Sequence, residues 1–173
     1  MRPERRIAVC LWIVIIGLVL SGATAIPLER ELDILAPHLD PRTAMGAWLA
    51  FARDGLHETY AKYPFVAYGT DWLAFAHIVL ALLFIGPLRD PVKNIWVIDF
   101  GLIACLLVPP TALVFGHFRG IPLFHRLIDC SFGVGGFLPL WLARRWTLGL
   151  AARRDSVQTT ADCPRGQSSD DNI

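Results

Sequence analysis

The sequence predicts an all-α integral membrane protein: a four-helix transmembrane bundle with short amphipathic helices in an external loop. Two observations lead to this class. Of the 173 residues, 54% are apolar and only 18% are charged, whereas soluble domains average about 45–50% apolar and about 25% charged residues. The apolar excess is concentrated in blocks close to the length of about 20 residues that a membrane-spanning helix requires.

Four apolar blocks are the predicted spans: residues 7–26, 72–87, 95–116 and 127–143. Only residues 88–94 separate the second block from the third, so we expect these two spans to be antiparallel neighbours. We divide the chain into an N-terminal transmembrane helix or signal anchor (1–26), an external amphipathic loop (27–71), a three-helix transmembrane core (72–146) and a disordered cytoplasmic tail (147–173).

The positions of Lys and Arg predict the orientation, because these residues resist transfer across the membrane. An N-terminus in the cytoplasm keeps most of them on the cytoplasmic side: Arg2, Arg5, Arg6, Arg89, Lys93, Arg144, Arg145, Arg153, Arg154 and Arg165. We therefore expect a protein of the cell inner membrane with both termini in the cytoplasm and residues 27–71 in the periplasm. The net charge of +1 gives no basic footprint for nucleic acid.

The first block has a second interpretation, as a cleavable signal peptide. Basic residues precede an apolar core, and Ala23-Thr24-Ala25 fits a peptidase cleavage pattern. The apolar stretch is nevertheless long enough for a retained helix. We expect retention, which gives four spans; cleavage would leave three.

The external loop predicts two short amphipathic helices. Leu28, Leu32 and Leu35 share one helical face, and a second helix begins after Pro41 with Thr43 as its N-cap. We expect an interfacial layer over the helix ends. Thr70 or Asp71 is the predicted N-cap of the second span.

Three histidines and one carboxylate fall near the outer membrane face and form the candidate site. His77, His117, His125 and Asp129 come from three separate elements. All four could hold a transition metal, or His77 with either His117 or His125 could be the axial ligands of a haem packed between helices. The alternative is that these groups are ordinary boundary or hydrogen-bonded side chains, and the absence of a cofactor is the first expectation.

Polar and small residues in the third and fourth spans give the remaining predictions. Asp99 is expected to form a salt bridge with a cytoplasmic base, and Pro109-Pro110 to kink the third span. Gly133, Gly135 and Gly136 form a small-residue face for a helix contact within the bundle, with a membrane-protein partner or in a homo-oligomer.

Three functions are compatible with these residues. The first is a scaffold or subunit of a membrane complex, in contact with the lipid bilayer and, through the glycine face, with a protein partner. The second is a haem- or metal-binding redox protein that uses the outer histidines. The third is a small transporter hinged at Pro109-Pro110. No catalytic residue is predicted, because the chain contains no nucleotide loop and no Ser-His-Asp order.

Overall fold

The computed structural model describes residues 2–161, and all regular structure in that part of the chain is helical. The helices are α1 (Pro3–Ala25), α2 (Leu28–Leu35), α3 (Ala44–Lys62), α4 (Ala67–Leu83), α5 (Ile85–Arg89), α6 (Ile95–Phe118) and α7 (Leu123–Ala161). Short 3-10 turns at Ala36–His38 and Pro64–Val66 lie after α2 and before α4. The predicted all-α class is thus confirmed for the described residues.

Three helical segments of the described chain are long and apolar enough to cross a membrane: Pro3–Ala25, Pro64–Arg89 and Ile95–Phe118. These candidate spans indicate a multi-pass membrane protein and correspond to the first three predicted blocks. The fourth block forms part of α7 and is not among the three candidates. Asp129, Pro139 and several glycines lower its hydropathy.

The long helices pack in the order α4, α1, α7, α6. Helix α1 contacts α4 on one side and α7 on the other, and α7 makes its largest contact with α6. Helices α4 and α6 make no extensive contact with each other. The prediction that the second and third spans are neighbours therefore holds only beside their short connection, where α5 contacts α6.

The buried core lies at the end of the bundle where α1 begins, which we call the amino-terminal end. Ile7 and Leu11 from α1 are at most 1% exposed, and they belong to one buried cluster with Ile98 of α6 and Leu140 of α7. Phe84, between α4 and α5, joins the same cluster at 3% exposure. Toward the opposite end of the bundle, the outward faces of α4 and α6 are mostly exposed apolar side chains.

Two predicted boundaries need correction. Helix α4 begins at Ala67 with Val66 as its N-cap residue, and Thr70 donates its hydroxyl to the Ala67 carbonyl inside the first turn. Helix α7 continues through residues predicted to be disordered, because Thr147 and Leu150 are buried and extend its packing face beyond Ala143. Residues 162–173 lie outside the described residues, so disorder there stays a prediction.

Residues 27–71, predicted to be an external loop, contain two helices as expected, and we call α2 and α3 together the collar. Helix α2 is amphipathic, whereas α3 has no marked apolar face. Thr43 is the N-cap of α3, as predicted, and its hydroxyl accepts a hydrogen bond from the Gly46 amide at 3.1 Å. Helix α3 packs on α2. The collar lies at the end of the bundle opposite the amino-terminal end, where α7 begins.

Candidate functional site

His125 connects the collar to the bundle. The indole N–H of Trp48 in α3 donates to Nδ1 of His125 at 3.1 Å, and the two rings meet edge to face with centroids 5.9 Å apart. Because Nδ1 is the acceptor, the proton of a neutral ring lies on Nε2. Nε2 faces the Asp129 carboxylate at 3.8 Å, which is an ion-pair separation and too long for a hydrogen bond. The predicted proximity of His125 and Asp129 is therefore confirmed.

His77 lies at the contact between α1 and α4. Its Nδ1 is 2.8 Å from the Leu73 carbonyl oxygen, so this nitrogen carries the proton and donates along its own helix. A Cβ added at Gly22 of α1 would lie only 3.1 Å from the His77 Cβ. The lack of a side chain at Gly22 therefore allows the two helices to approach closely beside His77.

His117 is exposed near the end of α6, beside the ring of Phe118. The short connection to α7 is occupied by Arg126, whose methylenes cover Gly116 and whose guanidinium donates to the Leu113 carbonyl at 3.3 Å. Among the described residues, His117 belongs to no group of side chains placed to hold a metal ion.

The predicted ligands are thus only partly brought together. Of His77, His117, His125 and Asp129, the structure pairs the last two. Within residues 2–161 there is no group of three or more His, Cys, Asp or Glu side chains placed to hold a metal ion. The haem and metal interpretations stay predictions to which this geometry adds no support.

His57, which was not predicted as a site residue, contacts two carboxylates. His57 of α3 places Nδ1 2.8 Å from a Glu29 oxygen and Nε2 2.8 Å from an Asp33 oxygen. Both ring nitrogens face carboxylate oxygens, which fits the doubly protonated imidazolium. The hydrogen bond to Asp33 is the main reason that the pKa of His57 is raised, and the charges of both acids add to it. The sequence signal that could have indicated this contact is the i,i+4 spacing of Glu29 and Asp33, which places both acids on one face of α2.

Two ion pairs occupy the amino-terminal end of the bundle. Arg144 donates through Nε to the Asp99 carboxylate at 2.6 Å, which confirms the predicted salt bridge for Asp99. Arg154 reaches Asp90 at 3.2 Å. The backbone N–H of Lys93 also donates to Asp90, and this bond is the main cause of a lowered pKa for that carboxyl. Helix α7 is thereby tied to the start of the connection between α5 and α6, at Asp90, and to the beginning of α6, at Asp99.

The predicted glycine face is largely used within the chain. A Cβ on Gly133 would lie 2.7 Å from the Cys105 carbonyl oxygen, and one on Gly136 would lie 2.9 Å from the Cys105 sulfur. Gly135 has open space around it. The predicted helix contact within the bundle is therefore confirmed for Gly133 and Gly136, which lie against α6, and a partner contact through the glycines stays a prediction.

Helix α6 continues through Pro109 and Pro110 as one helix. The thiol of Cys130 on α7 lies 4.0 Å from the Pro109 carbonyl oxygen and interacts weakly with it. This contact and the close approach at Gly133 hold the proline segment against α7. They show no hinge movement, and the transporter hinge stays a prediction.

Comparison of the chain with protein-family models, with curated proteins and with solved structures found no match.

Proposed function

We propose that this chain crosses the inner membrane four times, with residues 127–143 of α7 as the fourth span. Helix α7 packs along α6, itself a candidate span, and the two helices are antiparallel across a short connection. Phe132, Val134 and Leu138 on α7 are each more than half exposed. Apolar side chains exposed at these positions are suited to contact with lipid chains. The distribution of Lys and Arg supports cytoplasmic termini and a periplasmic collar.

Retention of α1 is part of this proposal. Ile7, Leu11 and Ile15 are buried in the cluster shared with α6 and α7. Cleavage after Ala25 would remove this side of the cluster and leave α4 without the helix on which it packs. Burial of the first helix therefore favours a membrane-embedded α1 over a discarded signal peptide.

Within the membrane, we infer that the protein acts as a structural subunit of a larger complex. The observation that carries this inference is the exposed apolar surface of the collar. Ile34 is 65% exposed and Phe51 is 69% exposed, although α2 and α3 are held together by the His57 contacts and linked to α7 through Trp48. Exposed apolar surface of this kind marks contact with another protein or with the membrane, and the subunit proposal assigns it to a protein.

Photo-crosslinking in native membranes tests the subunit role. A photoreactive phenylalanine analogue replaces Phe51 in one variant and Phe132 in a second, matched variant. The two side chains have nearly equal exposure, 69% and 68%, but Phe132 faces lipid in the proposed threading. We expect a protein adduct of defined mass from position 51 and lipid adducts from position 132. Lipid adducts alone at both positions would show that the collar rests on the bilayer, and would contradict the subunit proposal.

A further inference from the structure

A cavity of about 290 Å³ opens at the amino-terminal end of the bundle, between the start of α1 and the second half of α7. It is separate from the collar and its histidines. Its lining is compact and strongly basic: Pro3, Arg145, Trp146, Gly149, Leu150 and Arg153.

The spacing of residues along α7 builds this cavity. Arg145, Gly149 and Arg153 follow one another at intervals of four and therefore lie along one helix face. A Cβ added at Gly149 would meet nothing within 4 Å, so the glycine leaves a notch between the two arginines. Leu150 is buried and Trp146 is half-buried beside the notch, and they form an apolar floor. The side chains of the two arginines are long enough to line a single cavity from positions about 12 Å apart along the helix axis.

The acids of the neighbouring elements do not pair with the cavity arginines. Asp99 and Asp90 are engaged by Arg144 and Arg154 instead, and the acid of α7 itself at this end, Asp155, does not line the cavity. Among the described residues, no carboxylate lies within ion-pair distance of Arg145 or Arg153.

The other groups at the cavity add to its positive character. The guanidinium of Arg6 lies 5.8 Å from the ring centroid of Trp146. Glu4 is the acidic residue in the first turn of α1, and it does not line the cavity. The cavity also lies beside the N-terminal end of α1, where the helix dipole favours a negative ligand.

We propose that this cavity binds the phosphate headgroup of an anionic phospholipid. Guanidinium groups match phosphate oxygens in geometry and charge, and basic pockets between membrane helices on the cytoplasmic side bind such headgroups. The cavity is near the lower limit of small-molecule pockets, which is about 300 Å³, so it suits a headgroup rather than an acyl chain. The tryptophans Trp141 and Trp146 mark this level of α7 as the membrane interface. The assignment of the phosphate to a lipid rests on the proposed membrane threading. The match between the arginines and a phosphate group does not.

Lipid retention by the full-length protein is the test. The protein is purified in neutral detergent and incubated with phosphatidylglycerol, phosphatidylcholine or inorganic phosphate, and bound ligand and unfolding temperature are measured by native mass spectrometry and thermal denaturation. We expect one retained phosphatidylglycerol, a raised unfolding temperature with this lipid, and neither effect with phosphatidylcholine. The double variant Arg145→Gln/Arg153→Gln should retain this lipid about tenfold less or worse. Arg5→Gln removes a charge from the same end without altering the lining, and should retain it normally.

A second variant separates binding from folding. The Cβ added by Gly149→Leu meets no other atom within 4 Å. The variant places an apolar side chain in the notch, and should abolish lipid retention while leaving the unfolding temperature in phosphatidylcholine unchanged. Gly17→Leu is the matched control, because Gly17 on α1 also has open space around it and lies away from the cavity. Full stabilisation by inorganic phosphate alone would overturn the lipid assignment. Equal retention of phosphatidylglycerol by the wild type and Gly149→Leu would overturn the site itself.

Discussion

Substitution of Gly133 by alanine is expected to weaken the contact between α6 and α7. The new Cβ would lie 2.7 Å from the backbone oxygen of Cys105 and 3.1 Å from the Val108 Cβ. Neither atom is the mobile end of a side chain, so α6 must shift away from α7. Overpacking of this kind costs about 1–3 kcal/mol, and the higher helix propensity of alanine returns about 1 kcal/mol.

Gly135→Ala is the matched control for this prediction. Gly135 lies two residues further along α7, and a Cβ there meets nothing within 4 Å. Both variants gain the same helix propensity, so the difference between their free energies of unfolding isolates the steric cost. We expect Gly133→Ala to be less stable than Gly135→Ala by about 1–3 kcal/mol.

The assay is unfolding in mixed micelles by titration with a denaturing detergent, followed by far-UV circular dichroism. A difference below about 0.5 kcal/mol between the two variants would refute the packing of Gly133 against α6. It would also reopen the whole glycine face for a contact with another protein.

Three further predictions concern single contacts. Leu11→Ala should lower the free energy of unfolding by about 2 kcal/mol, because Leu11 is fully buried, and Leu20→Ala at a 58% exposed position of α1 should change it little; equal effects would contradict the placement of α1 in the core. A double-mutant cycle of Asp99→Asn with Arg144→Gln should give a coupling of about 0.5–1 kcal/mol, as expected for a half-exposed pair, and additive effects would exclude the bridge. Because the pKa of His57 is raised, its contacts stabilise the collar fully below the ordinary histidine pKa, and this stabilisation is lost as the pH rises through the raised value. Thermal unfolding measured from about pH 5 to about pH 9 should show this loss in the wild type and not in His57→Gln. Identical pH profiles of the two proteins would disprove the prediction.

Local features of the fold were accessible to sequence reasoning. The third span was predicted at residues 95–116 and is found as Ile95–Phe118. The N-cap at Thr43 was predicted from its position before a segment predicted to be helical. Both follow from apolar content and hydrogen bonding within one segment, which do not depend on distant parts of the chain.

The candidate site was harder to predict from the sequence than the helices. His125 and Asp129 are one helical turn apart, so their proximity was predicted correctly. His77 was expected near them from its depth in the membrane, but depth does not specify which side of a helix faces which neighbour. The contacts of His57 with α2 were missed, because an exposed histidine in a helix gives no local sign of its partners.

The sequence by itself determined that the chain is helical, that it carries membrane-length apolar segments, and that its basic residues concentrate toward one face. Tertiary structure decided that α1 and α7 form the centre of the bundle, that Gly133 and Gly136 face α6, and that Arg144 rather than Arg89 or Lys93 pairs with Asp99. The physical reason is that helix formation depends on neighbouring residues, whereas the pairing of helices depends on close contacts between residues far apart in the chain. The cavity beside Gly149 also depends on contacts between distant residues, because it exists only where the start of α1 meets α7.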